Sequence, residues 1–399
     1  MKALEVTKDV YWVGTRDYDI EVFDVVLKTE KGTTYNSYVI KGKEKTALID
    51  ICKEEKYDEY IERLSSVIDI RDIDYIITNH TEPDHSGSLH KILELNPNLQ
   101  IYGTRVALRY LREIVNFDFN GVHIEKNPTL DLGGYTLNFI PAPFLHWPDS
   151  MMTHCPELKV LFSCDMFGCH FCTEEIFNDL IKEDFSYEYK YYFDCIFKPY
   201  SKFVLEGVEK IKDLDIEIIA NGHGPVLRKD LKEHIDKYSQ WAIEKKDTEP
   251  TVVIPFVTSY GYTRDMAKEI TRGLESVGVK VLVYDMVYSN KDEVLKKINT
   301  CDGVLFGSCT IMSDALPPIY ELLYEMNPII HKGLLGGAFG SYGWSGEAVP
   351  NIEARLAQLR LKKPLEGLRV LFRPTDVDVT NCFKFGVNFG NEVLAKRLK

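Results

Sequence analysis

The segment "TNHTEPDHSGS", residues 78–88, decides the fold of the first half of this chain, and it directly follows the apolar run "YII". Within six positions it holds four residues whose side chains commonly bind metals: His80, Glu82, Asp84 and His85. Imidazole and carboxylate groups packed this closely desolvate or repel one another unless a cation neutralises them. The alternative is a set of solvated loop residues, with Asp84 or Ser86 capping the next helix, and it leaves this density of ligand-type residues unexplained. The segment therefore predicts a metal site on a loop that leaves a buried strand.

Three further candidate ligands lie far along the chain, and each follows an apolar strand. They are His146 in "APFLHWPDS", Asp165 in "LFSCDMFG" and His223 in "NGHGP". Since alternate residues of an extended segment point the same way, we expect His80, Glu82 and Asp84 to converge on one side. His85 then turns away and serves a second ion. Seven potential ligands at the strand ends of one α/β unit predict a site for two metals.

The pattern of strands and helices divides the chain into two α/β domains. The first begins with strands such as those in "YNSYVIKGKEKTALIDI" and then alternates helical and strand patterns. It includes a largely helical segment from about Glu174 to Lys212. The polar stretch "WAIEKKDTEP", residues 241–250, is the predicted linker. Beyond it five strands alternate with helices, which predicts a doubly wound parallel sheet. We therefore assign residues 1–248 to one domain and residues 249–399 to the other.

The composition excludes several classes of protein. The 399 residues include 48 basic and 61 acidic side chains, and the formal charge of −13 argues against binding to nucleic acid or to an anionic membrane. No apolar run is long enough to cross a bilayer, and the N-terminus lacks the apolar stretch of a signal peptide. The nine cysteines fit reduced thiols better than a disulfide framework, and the lone C-x-x-C pair, Cys169 and Cys172, is assigned no metal. We expect a cytoplasmic protein.

Three loops at strand ends of the second domain predict a cofactor that carries a phosphate. The first loop enters a helix whose N-terminal N–H groups bind a phosphate without a lysine. With no Walker lysine and no G-x-G-x-x-G, the pattern favours a monophosphate such as FMN over ATP or a dinucleotide. A simple helix cap is the alternative for this loop alone. Two further loops are expected at the same sheet edge, where Trp344 offers a flat face for the isoalloxazine ring. The candidate residues are Thr258, Ser259, Tyr260, Gly261, Tyr262 and Thr263 in the first loop, Ser308, Cys309, Thr310 and Ile311 in the second, and Ser341, Tyr342, Gly343, Trp344 and Gly346 in the third.

The spacing H-x-E-x-D-H, followed by distant His, Asp and His at strand ends, is similar to the metallo-β-lactamase fold. The hydrolases of that fold have H-x-H-x-D-H, so Glu82 stands where the second histidine would be. A carboxylate suits a harder, more oxophilic ion than the nitrogen-rich sites that hold zinc. Together with "LHWPDSM" and the flavodoxin-like second half, this version of the motif resembles a flavodiiron protein over essentially the whole chain. The resemblance implies an α/β fold, a metallo-β-lactamase-like αββα sandwich followed by a flavodoxin-like doubly wound sheet.

The resemblance also implies two iron ions and a division of the ligands between them. One iron would take His80, Glu82 and His146, the other would take Asp84, His85 and His223, and Asp165 would bridge the two. The charges of two ferrous ions and three carboxylates leave a net charge that a bridging hydroxide cancels. Trp147 is expected to line the pocket, and His170 to supply protons or hydrogen bonds to the ligands.

The function implied by the resemblance is reduction of O2 to water, of NO to N2O, or of both, with electrons relayed from FMN to the iron pair. The sequence does not separate the two gases. Rubredoxin, or in some members a reduced deazaflavin, would be the electron donor. The family's head-to-tail homodimer, alone or as a dimer of dimers, would place the flavin of one chain beside the irons of the other.

Two other functions are compatible with the same motifs. A zinc-dependent hydrolase fused to a flavodoxin electron carrier would use the metals to activate water, and Glu82 disfavours it. A non-catalytic electron carrier would keep a working flavin domain beside a vestigial metal fold, and the seven intact ligand positions disfavour that.

Overall fold

This computed structural model describes residues 1–23, 27–116, 118–243, 249–328 and 331–398. They form two compact units, Met1–Ile243 and Glu244–Lys399. The predicted linker at 241–250 includes residues 244–248, which lie outside the described residues, and the domain boundary at 248/249 stays a prediction.

The first unit contains short strands and mostly short helices. Its strands are β1 Leu4–Thr7, β2 Val10–Trp12, β3 Thr15–Asp17, β4 Val22–Phe23, β5 Leu27–Lys28, β6 Thr33–Tyr35, β7 Tyr38–Lys41, β8 Thr46–Ile49, β9 Tyr75–Ile77, β10 Gln100–Gly103, β11 Asn120–His123, β12 Thr129–Asp131, β13 Thr136–Pro141, β14 Met151–Cys155, β15 Val160–Cys164 and β16 Ile218–Asn221. Its α-helices are α1 Tyr57–Ser65, α2 Pro83–Ser86, α3 Leu89–Leu95, α4 Arg105–Val115, α5 Ser186–Tyr192, α6 Ser201–Ile211 and α7 Leu231–Ala242. Short 3₁₀ turns lie at Glu54–Lys56, Ile70–Asp72 and Lys198–Tyr200, and Phe193–Phe197 is a π-helical turn.

Two mixed sheets form the centre of this unit. One has the strand order β1-β2-β7-β8-β9-β10-β11, and the other has the order β12-β13-β14-β15-β16. A core that includes Ile49 and Ile77 from the first sheet and Phe162 and Ala220 from the second joins their facing sides. The outer faces of the two sheets pack against helices, α1, α3 and α4 on one side and α5 to α7 on the other. These four layers confirm the predicted αββα sandwich.

Apolar patterning and capping explain why these elements form where they do. The strand β8 is buried over Ala47–Ile49, as its continuous apolar run predicts. The helix α4 begins where the Thr104 hydroxyl accepts a hydrogen bond from the Ala107 N–H, and it ends at Asn116, whose φ of +50° breaks the helical path.

The predicted helical segment from Glu174 to Lys212 is wrong in its first third. Helix begins only at Ser186, while Phe177 forms an isolated bridge with Val226 and is buried in the core between the sheets. Tertiary packing of this aromatic residue outweighs local helical preference, which is weak by comparison.

The second unit is a doubly wound parallel sheet, as predicted. Its elements are β17 Thr251–Val257, α8 Tyr262–Ser276, β18 Lys280–Asp285, α9 Lys291–Ile298, β19 Gly303–Ser308, α10 Pro317–Glu325, β20 Leu335–Tyr342, α11 Ala348–Gln358, β21 Leu368–Leu371 and α12 Asp376–Arg397. The strand order is β18-β17-β19-β20-β21, and every pair is parallel. One face packs on α9, α10 and α11, and the other packs on α8 and α12. All strand carboxyl ends therefore lie at one edge of the sheet.

Among the described residues, no helix combines the length and the apolar character needed to cross a membrane.

Candidate metal centre and cofactor pocket

The seven predicted ligands lie in segments that follow strands of the first unit, and their side chains converge. The strand β9 ends at Ile77, and the chain then runs through His80 into α2, which starts at Pro83. Because Pro83–Ser86 is a helical turn, the expectation from extended geometry that Asp84 joins His80 and Glu82 is wrong. Asp84 instead groups with the histidine that follows it. Neither Asp84 nor Ser86 caps this turn, since Glu82 occupies the N-cap position.

The first group of candidate ligands consists of His80, Glu82, His146 and Asp165, whose ligand atoms lie within 4.8 Å of one another. The Nε2 atoms of His80 and His146 each lie 3.1 Å from Oε2 of Glu82. From Oδ2 of Asp165 these nitrogens are 3.6 Å and 3.3 Å away, respectively. One small cation could therefore contact all four side chains.

The second group consists of Asp84, His85 and His223. Oδ2 of Asp84 lies 3.1 Å from Nε2 of His223 and 3.4 Å from Nε2 of His85. Asp165 reaches this group too, because its Oδ1 lies 3.0 Å from Nε2 of His85 and 3.4 Å from Nε2 of His223. The two oxygens of Asp165 thus face different groups, which is the arrangement that a bridging carboxylate needs.

Hydrogen bonds at the far side of two imidazole rings orient them toward the centre. Nδ1 of His80 donates to Oδ2 of Asp149 (3.1 Å), and Nδ1 of His223 donates to the Thr34 carbonyl oxygen (2.7 Å). The N–H and hydroxyl of Thr81 also donate to Asp149, each over 2.8 Å. Both Nε2 atoms are left facing the carboxylates, in the way that metal-binding histidines are commonly held.

The carboxylates favour positive charge at this centre. Burial alone lowers the pKa of His146, but Asp165 and Glu82 raise it to about 9. Burial likewise lowers the pKa of His223, and Asp165 with Asp84 raises it to about 10. Positive charge can come from protons or from metal ions, and metal ions would compete with those protons.

Unsatisfied carboxylate oxygens indicate that metal ions fit this centre. Both oxygens of Asp84 and Oδ2 of Asp165 are buried and have no hydrogen-bond partner among the described residues. Although His223 approaches Asp84, the contact lacks hydrogen-bond geometry. Unpartnered buried carboxylate oxygens are costly, and cation ligation satisfies them. Imidazoles with carboxylates suit iron, whereas an all-nitrogen set would favour zinc.

One further cluster brings Cys164 next to His85 and Asp165. Burial raises the pKa of the Cys164 thiol well above its usual value. In the absence of metal the thiol is therefore neutral, and the assignment of ligands below uses the other two groups.

The two pocket residues expected from the sequence both contact ligand histidines. The half-buried ring of Trp147 lies 5.1 Å from the ring of His80, between centroids. His170 is buried, and its ring lies 5.4 Å from that of His223. Burial and the nearby His223 hold the pKa of His170 well below its usual value, so the imidazole is neutral at pH 7.

Asp149 is the residue at this centre that the sequence analysis missed. It lies in the quoted motif "LHWPDSM", but its hydrogen bonds to His80 and Thr81 bridge 69 and 68 positions of sequence. The role of Asp149 in orienting His80 follows from its burial beside that ligand in the folded chain. No local sequence pattern predicts this contact.

In the second unit, a cavity of about 380 Å³ lies at the carboxyl edge of the parallel sheet. Ten of the fifteen predicted cofactor residues line it: Ser259, Tyr260, Tyr262, Cys309, Thr310, Ile311, Ser341, Tyr342, Gly343 and Trp344. The hydroxyl groups and the N-terminus of α8 suit a phosphate and a ribityl chain, and the aromatic side chains suit a flat ring. The cavity therefore fits FMN.

The other five predicted residues shape these loops without lining the cavity. Thr258 accepts a hydrogen bond from the Gly261 N–H (3.0 Å), and Gly261 has a φ of +86°, which favours glycine. The hydroxyls of Thr263 and Ser341 lie 3.0 Å apart and join two loops. Ser308 bonds within its own loop, and Gly346 lies against the Tyr342 ring. Five lining residues were not predicted: Met312, Ser313, Ser345, Glu347 and Phe372.

Family models match both units. The model described as ODP family beta lactamase matches residues 33–224, and the flavodoxin model matches residues 254–386. The first match contains all the candidate metal ligands, and the second contains all three cofactor loops.

Relatives align with both units together. The flavo-diiron protein FprA2 of Clostridium acetobutylicum is 39% identical, over 98% of this chain and 100% of its own length. Among solved structures, the flavodiiron protein from Giardia intestinalis has 29% identity and a TM-score of 0.66, covering 99% of this chain and 97% of its own. Rubredoxin oxygen:oxidoreductase from Desulfovibrio gigas has 27% identity and a TM-score of 0.69, with both chains fully covered.

Proposed function

We propose that this chain, which belongs to the flavodiiron protein family, reduces O2 to water, NO to N2O, or both. As a member, it is a flavoprotein oxidoreductase whose cofactors are FMN and a di-iron centre. The choice of gas is part of the proposal.

The observation that carries this proposal is the shared position of Asp165. Its two oxygens face two separate ligand groups, each of which adds at least one more carboxylate. A carboxylate in each group and a third carboxylate shared between them suit a pair of iron ions, whereas the zinc ions of a hydrolase of the same fold suit a set richer in nitrogen. We therefore assign His80, Glu82 and His146 to one iron, and Asp84, His85 and His223 to the other, with Asp165 between them.

When bound, FMN and the iron pair supply the electron-transfer chemistry, and this chain's own residues prepare the two sites for it. Asp149 and the Thr34 carbonyl hold two imidazoles in place, so that little rearrangement accompanies reaction. Trp147 covers the His80 side of the centre and limits access of water there. In the second unit, the N-terminus of α8 would hold the phosphate of FMN, and Trp344 would offer its flat face to the flavin ring.

The electron donor and the assembly are also part of the proposal. The name of the Desulfovibrio gigas neighbour includes rubredoxin, and we propose that a small rubredoxin likewise reduces the flavin of this chain. We further propose a head-to-tail homodimer, alone or paired into a tetramer, acting in the cytoplasm.

Gas turnover tests the proposed function directly. Purified protein loaded with iron and FMN is assayed without air, using chemically reduced rubredoxin and either O2 or NO. The proposal expects donor oxidation that depends on gas, with water or N2O as the product. Iron-loaded, flavin-loaded protein that consumes neither gas would contradict it. Esterase turnover with zinc alone would instead support a hydrolase.

A further inference from the structure

A second cavity lies in the first unit, beside the candidate metal centre. It has a volume of about 310 Å³ and is lined by Thr29, Glu30, His170, Tyr187, Glu188 and Tyr191. Glu30 and Tyr187 are exposed, whereas His170 is only 4% exposed. The cavity therefore runs from solvent to a buried imidazole, and two carboxylates are among its lining groups.

His170 joins this cavity to the metal centre. Its Nδ1 lies 2.9 Å from the Thr33 hydroxyl, which leaves Nε2 for another partner. That Nε2 is buried and has no hydrogen-bond partner among the described residues. The ring itself lies 5.4 Å from the ring of His223, one of the candidate iron ligands.

Glu188 provides a second unsatisfied group in the same cavity. It lies in α5, and its Oε2 is buried without a hydrogen-bond partner in the described part of the chain. Buried polar atoms normally find a partner, and ordered water supplies one where a polar cavity has room. Both residues line one cavity, and its volume of about 310 Å³ leaves room for ordered water.

We propose that this cavity is the route by which protons enter the metal centre, with Glu188 relaying them from solvent to water bound at His170. The inference rests on the proposed function, because reduction of either gas consumes protons at a buried site. The balances are O2 + 4e⁻ + 4H⁺ → 2H2O and 2NO + 2e⁻ + 2H⁺ → N2O + H2O. Electrons arrive through FMN, and protons arrive from solvent water. Glu188 takes up a proton at the outer side, releases it inward and returns to the carboxylate. Because two carboxylates line the cavity, it suits protons and water better than an apolar gas.

A high-resolution crystal structure of the loaded protein tests the first half of this proposal without any assay of activity. We expect ordered water within hydrogen-bond distance of both Oε2 of Glu188 and Nε2 of His170. A dry cavity, or side chains that close it, would overturn the proposal.

Kinetics of Glu188→Gln test the second half, because glutamine keeps the shape of glutamate but cannot relay a proton in the same way. We expect kcat with excess gas to fall about five- to twentyfold, with a larger solvent isotope effect and an altered pH profile. Flavin reduction by the donor and KM for the gas stay unchanged, and Glu188→Asp restores part of the rate. Metal content and thermal melting verify that the variant folds.

Glu183→Gln is the matched control, because it makes the same chemical change at an exposed carboxylate that lies 3.5 Å from Lys31. It should behave as the parent does. A Glu188→Gln variant with the parent kcat and pH profile would overturn the proton route while leaving the proposed function intact. If the parent turns over neither gas, the proposed function fails, and the water structure alone decides whether the route exists.

Discussion

The two cofactor sites of this chain are built in opposite ways. At the metal centre, charged side chains from distant parts of the chain are buried together, and two of the rings are fixed by the hydrogen bonds that they donate to Asp149 and to the Thr34 carbonyl oxygen. The flavin pocket consists of three loops at one sheet edge, where Trp344 is 96% exposed and Tyr260 is 85% exposed. The ligands of the metal centre lie close together because buried carboxylates and imidazoles stabilise one another's charge. The flavin pocket has an apolar rim that a bound ring would cover.

This contrast predicts that a substitution at one site lowers the affinity for its own cofactor and leaves the affinity for the other cofactor unchanged. The largest effect should come from Asp165→Asn, because it removes one of the three carboxylate charges at the centre, the one shared by both ligand groups. We expect gas reduction to fall at least roughly 1,000-fold, with loss of bound iron and unchanged FMN affinity. Iron analysis, flavin titration and turnover measure the three quantities. Parent turnover in this variant would show that the bridge is dispensable.

A smaller effect is expected at Asp149, which touches His80 but not a metal. Asp149→Asn should lower metal affinity or turnover about 10- to 100-fold, because the imidazole loses its charged orienting partner. Competition with a chelator measures the affinity. Asp215→Asn, on the exposed surface, is the control and should leave it unchanged. Equal affinities in both variants would mean that Asp149 has a packing role only.

The two sites should also differ in how their affinity for the cofactor depends on pH. Since the carboxylates raise the pKa of His146 to about 9 and that of His223 to about 10, metal-free protein prepared with a chelator holds protons on these rings at pH 7. Uptake of each iron must release at least one such proton, so the affinity for each iron should rise at least roughly tenfold per pH unit from pH 6.5 to 8.5 and level off as the pH passes those values. Chelator competition under argon at several pH values measures this rise. FMN affinity should not follow the same slope, and a flat metal profile would contradict the argument.

The smallest effect is expected in the flavin loop. A Cβ at Gly261 would lie 2.6 Å from the Arg264 guanidinium, at a φ of +86°. We expect Gly261→Ala to weaken FMN binding about tenfold, as a strain of 1–2 kcal/mol implies, with iron retained. Gly278→Ala is a close control, because Gly278 has the same φ and nothing within 4 Å of its Cβ position. If both variants bind FMN as the parent does, the loop tolerates the side chain.

The contrast also explains what the sequence could predict. The cluster from His80 to His85 was recognisable because four ligand types lie within six positions, and the β/α alternation after residue 250 identified the parallel sheet. The prediction that the Asp84 side chain points to the same side as His80 and Glu82 is wrong, because a helical turn that starts at Pro83 replaces the extended backbone there. Asp149 and Glu347 escaped notice because their roles depend on contacts made by the folded chain. Phe372 lies after β21, outside the three loops considered.

The central claim is that seven side chains hold two irons bridged by Asp165. Iron analysis of anaerobically purified protein, combined with anomalous diffraction at the iron absorption edge, tests it most directly. The account predicts two iron ions per chain, one within reach of each oxygen of Asp165, with His80, Glu82 and His146 around one and Asp84, His85 and His223 around the other. Zinc in their place, or a single ion that leaves Asp84 without a metal, would contradict it.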